Sequence, residues 1–177
     1  DFEDMTTGTN ADDGMSFTIG SDQVNAIKYL KGLRTLLIGT VGGEFVATAS
    51  TSAEPITPTN IQIKRQAGYG TSDVDALLAG NRILFVQRAG KKVRELVFDF
   101  DSDGYIAPDL TLLAEHIAGS GVGTGFTNWT YQQEPDSIVW VVRSDGVLTG
   151  MTYQRGENVV AWHRHILGGA FSSGNAV

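Results

Sequence analysis

The apolar residues of this chain fall in short runs, not in long helical stripes. Thr35–Val41, Ile83–Gln87 and Ile138–Val142 are each rich in branched or aromatic side chains, which predicts three buried strands. A turn follows each run, at Gly42–Gly43, Ala89–Gly90 and Asp145–Gly146. Tight hairpin turns call for positive φ, which glycine supplies. Beyond each turn lies a more alternating strand, at Glu44–Ser50, Val93–Asp99 and Val147–Tyr153. The same unit therefore occurs three times with a period of about 50 residues, the mark of a propeller or a similar array.

Flanking strands complete each unit. Ala26–Leu30, Asp75–Ala79 and Thr127–Gln132 precede the buried runs, while Asn60–Gln66, Tyr105–Ala107 and Val159–His165 follow the outer ones. The expected fold is all-β, a partial β-propeller of about three four-stranded blades. Its divisions are a lead-in over 1–22, blades over 23–66, 67–108 and 109–166, and the first strand of a following blade over 167–177. Phe17–Ile19 would be left over from a preceding blade, and Phe171–Val177 would open the next. Two segments carry a helical signal. Val24, Ile27, Leu30 and Leu33 recur at three-residue spacing behind Ser21, but a strand there keeps the repeat intact. Between the second and third units, Asp109 can cap a short inserted helix with Leu112, Leu113 and Ile117 on one face, and Gly119 can end it.

Composition narrows the function classes. With 41% hydrophobic residues among 177, the chain can bury a core; 22 glycines against 4 prolines suit many strands joined by tight turns. The formal charge of −7 lacks the basic excess through which proteins hold phosphates. It suits a soluble surface, and equally one that must let DNA pass without holding it. The absence of cysteine excludes disulfides and thiolate metal sites. No apolar run approaches the ~20 residues of a membrane helix. The chain begins with Asp and no signal peptide follows, so it reads as a portion of something longer.

Four features have chemistry to weigh. Asp99, Asp101, Asp103 and Gly104 open like a calcium loop, but Leu110 stands where a bidentate Glu is needed and a strand precedes them; an acidic turn is the better reading. Gly119, Gly121, Gly123 and Gly125 form a glycine-rich loop. Helix precedes and strand follows it, the reverse of a phosphate-cradling loop, which makes it a connector. His163 and His165 share one strand face, with Trp162 and Arg164 on the other; Trp162, His163 and His165 read as interface candidates, and the histidine pair not as a zinc site. Trp129, Trp140 and Trp162 all fall in the third unit and read as core or inter-blade packing. No nucleophile–histidine–acid arrangement stands out, so neither an enzyme nor a cofactor is expected.

The tract SIVWVVRSDGVLTGMTYQRGENVVAWHR (Ser137–Arg164) resembles the tail tubular protein B family, the nozzle proteins of short-tailed bacteriophages. RTLLIGTVGGEF (Arg34–Phe45), ITPTNIQIKRQAGYG (Ile56–Gly70), ILFVQRAGKKVREL (Ile83–Leu96) and DLTLLAEHIAG (Asp109–Gly119) fit the same family in order and spacing. The resemblance implies a propeller subunit that joins like subunits in a ring around the tail channel. Its neighbours would be other tail or portal-adaptor proteins, with DNA in transient passage, no membrane anchor and no catalytic residues. Its place would be the virion tail, after synthesis in the host cytoplasm. Three units are fewer than a closed propeller of that kind needs. A propeller-type module binding a host-surface carbohydrate or protein is the alternative.

Overall fold

The computed structural model describes residues 6–20, 25–51, 54–119, 121, 123–165 and 167. Its twelve strands form three four-stranded antiparallel meanders. The first blade is β1 (Ile27–Gly32), β2 (Leu36–Thr40), β3 (Gly43–Thr48) and β4 (Gln62–Ala67). The second is β5 (Leu77–Ala79), β6 (Arg82–Val86), β7 (Val93–Asp99) and β8 (Gly104–Ile106). The third is β9 (Phe126–Gln132), β10 (Ile138–Arg143), β11 (Leu148–Gln154) and β12 (Val159–His165). Each blade pairs in chain order, so consecutive strands are neighbours and the three blades stack face to face, propeller fashion.

The pleat sends alternate side chains to opposite faces, and each face finds the next blade. Ile83, Phe85 and Leu96 of the second blade pack with Tyr29, Leu37 and Val46 of the first. Leu84, Val86 and Val93 pack the other way, with Trp129, Val139, Val141 and Met151 of the third. Backbone bonds sew the stack at the connections: Arg88 N donates to Gly70 O at 2.9 Å, and Phe126 N to Gly90 O at 2.8 Å.

Several expectations need correction. The inserted helix reduces to one 3-10 turn at Glu115–Ala118. Asp109 caps instead a tight turn, accepting from Thr111 N and Oγ1, and also holds Lys92 at 2.9 Å. Leu112 and Leu113 are exposed, Leu113 at 96%, and only Ile117 of that expected face is buried. Both leucines precede the 3-10 turn, in the tight turn that Asp109 caps, and so lie outside the helical face expected to bury them. Phe17–Ile19 forms no strand; Ile19 packs as irregular chain on the apolar cluster of Ile38, Phe45 and Ala47. Gly90 and Gly146 take positive φ in their turns, but Gly42 and Gly43 do not. There the Thr40 hydroxyl closes the turn, accepting from both glycine N–H groups and donating to Gly43 O at 2.8 Å. Ser21 and Val24 lie outside the described residues, and the chain from Ile27 is strand. The expected strand at Phe171–Val177 also lies outside them.

Candidate functional site

The outward face of the third blade carries the histidine pair. Cross-strand register aligns Trp140, Gly150 and His163, and one pair further along Val142, Leu148 and His165. Ile138 pairs with Thr152 on the same face. His163 Nδ1 and His165 Nε2 stand 2.7 Å apart, and both rings meet the Trp140 indole edge-on. Gly150 makes this possible, since a Cβ there would collide with the His163 ring. Burial, with the neighbouring His165 in support, holds the His163 imidazole below its ordinary value. Trp140 donates to Gln132 Oε1 at 2.8 Å, which fixes its plane. Val142 is 40% exposed at the end of this apolar surface. The face therefore combines apolar contact area with a pair of touching imidazoles.

Trp162 points the other way, as its alternation requires. It stacks parallel on Phe126 at 5.7 Å and donates to Leu110 O at 2.9 Å, which ties the blade to the preceding connection. Trp129 likewise spans blades, donating to Asp75 O. Both are packing residues, which corrects the expectation that Trp162 joins the histidines at an interface: strand alternation turns it inward onto Phe126.

The acidic turn joins β7 to β8. Asp99 Oδ2 accepts from Ser102 N at 3.0 Å, and Asp103 takes the left-handed conformation that Asp tolerates better than most residues. Among the described residues no three His, Asp or Glu side chains come together to hold a metal ion. The glycine loop presents carbonyls: Lys91 Nζ donates to Gly121 O at 3.1 Å, and Thr124 Oγ1 to the same oxygen at 2.6 Å. A ring of acceptors around an ammonium is the wrong polarity for a phosphate.

Two buried carboxylates escaped the sequence reading. Glu95, fully buried on β7, pairs with Arg82 of its own blade and with Arg155 of the third, whose Nε lies 2.6 Å from Oε2. Glu44, fully buried on β3, accepts a long bond from Thr71 Oγ1, at 3.5 Å, and backbone N–H groups at Tyr69 and at Glu44 itself also favour its charged form. Burial pushes the Glu44 carboxyl up. Both sit at core-facing positions of alternating strands, and an acidic residue at core parity was the signal to read.

A hollow of about 520 Å³ opens between the first and second blades, at the end of the stack opposite the glycine turns. Phe98, Phe100 and Tyr105 line it together with Arg34 and Lys64. Sequence reasoning missed it, because its residues come from four separate strands and turns.

Three comparisons complete the description. No protein-family model matches the chain, and no curated protein is similar to it in sequence. Among solved structures, a Lactobacillus plantarum protein from a structural genomics consortium is similar at TM-score 0.50 and 12% identity, over 79% of this chain and 41% of that one. The chain thus spans well under half of that protein's length. At this identity the likeness shows the fold alone.

Proposed function

We propose that the chain is a structural, non-catalytic subunit of a phage or prophage tail tube, packing against like chains in a ring around a DNA channel. The observation that carries the reading is the outward face of the third blade. There Ile138, Trp140, Val142 and Leu148 line up on a surface of the kind that, in the second blade, is covered by a neighbouring blade. A patch of that composition suits a like subunit. The resemblance of Ser137–Arg164 to nozzle proteins supports the tail assignment, and the acidic charge suits a conduit that lets DNA through. Other tail or portal-adaptor proteins would flank the ring, which would reside in the virion tail. Negative-stain imaging of the purified protein is the test: rings with a central hole are expected, and uniformly single particles would count against the reading.

The inter-blade hollow favours a second reading, a binding module for a host-surface ligand. Exposed aromatic rings beside cations are what a recognition pocket uses. Titration with surface glycans tests it, and saturable binding is the expected result.

A further inference from the structure

Phe100 is 82% exposed, although burying a phenylalanine side chain would gain about 1.5–3 kcal/mol. It does not hang loose. Its ring meets Phe98 edge-on at 5.1 Å, and Phe98 meets Tyr105 edge-on at 5.4 Å. Tyr105 is anchored in turn: its hydroxyl lies 3.0 Å from Thr35 Oγ1, and its N–H donates to Gln66 Oε1 at 2.8 Å. The three rings thus form a braced platform reaching from the second blade to the first. Arg34 and Lys64 line the same hollow, and neither has an ion-pair partner among the described residues. In a chain of net charge −7, two unpaired cations facing one cavity are a local reversal of sign. Asp103 lines it as well and offsets one of them. Asn81 and Thr48 also line the space.

We propose that this hollow binds an acidic oligosaccharide. The exposed Phe100 ring would stack on the apolar face of one sugar, and Arg34 and Lys64 would take the carboxylate of a neighbouring uronic acid. This rests on the binding-module reading and names its ligand class. An exposed flat ring suits the flat C–H face of a pyranose, and polar side chains such as those of Asn81 and Thr48 suit its hydroxyls. The cations then select for acidic sugars over neutral ones.

The test is calorimetric titration of the full chain with a hyaluronan oligosaccharide, a cello-oligosaccharide of equal length as the neutral probe, and hexaglutamate as the acidic peptide probe. The hyaluronan oligosaccharide should bind about tenfold more tightly than either of the others. Phe100→Ala should weaken it by about tenfold with the melting temperature unchanged, because the ring is largely in water. Arg34→Gln with Lys64→Gln should erase the preference over the neutral probe, and Asp103→Asn should strengthen acidic binding. Equal binding of the neutral oligosaccharide, lost in Phe100→Ala, would overturn the acidic assignment while leaving the binding-module reading in place. Equal binding of hexaglutamate would overturn the saccharide. No binding of any probe, or binding indifferent to Phe100→Ala, would overturn the proposal.

Discussion

Strands β6 and β10 look alike in sequence, Ile-Leu-Phe-Val against Ile-Val-Trp-Val-Val, yet they live in different surroundings. In β6 all four residues from Ile83 to Val86 are fully buried, because the second blade has a neighbour on either side. In β10 only Val139 and Val141 are fully buried, and Ile138, Trp140 and Val142 face outward. The apolar run is the same; among the described residues the number of blades packed on it differs. Burial here is set by the position of a blade in the stack, and the third blade carries the composition of a middle one. The first blade makes the same point from the other end, where Ile19 and its irregular segment lie on Ile38, Phe45 and Ala47.

The sharpest way to break the comparison is to cut the second blade from the third. Glu95→Ala strands Arg82 and Arg155 at the interface and should cost about 3–5 kcal/mol in denaturant unfolding, as loss of one partner in a buried ion pair does. Leu84→Ala, at a fully buried site, should cost about 2–5 kcal/mol. Gly150→Ala forces the His163 ring off the sheet, and a loss of about 1–3 kcal/mol in thermal melts is expected.

Acidity should act on the outward face of the third blade more gently. The folded-state value of His163 is depressed, so the unfolded chain binds the proton more readily. Stability should therefore fall as pH drops from about 6.5 towards the depressed value, and His163→Gln should flatten that part of a melting-temperature profile. Glu44 has the opposite sign. Its raised value means that its share of the stability is present below the ordinary carboxyl range and is lost as pH rises through the folded value. Glu44→Gln should remove that decline. The smallest effect belongs to Val142→Ala, which should change unfolding by no more than about 0.5 kcal/mol in the isolated chain.

The strands were legible because each unit states its period twice, once in an apolar run and once in an alternating partner. Val93–Asp99 and Val159–His165 fall where the alternation put them, to the residue. The segment 109–118 misled because Asp109, a good helix cap by type, had a closer claim on Thr111 and Lys92. The shared face of His163 and His165 followed from a two-residue spacing alone. Their contact with Trp140 did not, since it depends on register across three strands and on the bare backbone of Gly150. The hollow was illegible for a similar reason: Arg34, Lys64 and Phe100 meet only after two blades have stacked.

Sedimentation velocity of the wild-type chain and of Trp140→Glu, across a wide concentration range, addresses the assembly claim most directly. The outward face of the third blade predicts self-association that grows with wild-type concentration and disappears in the variant. A wild-type chain that sediments as a monomer throughout, indistinguishable from Trp140→Glu, would contradict it.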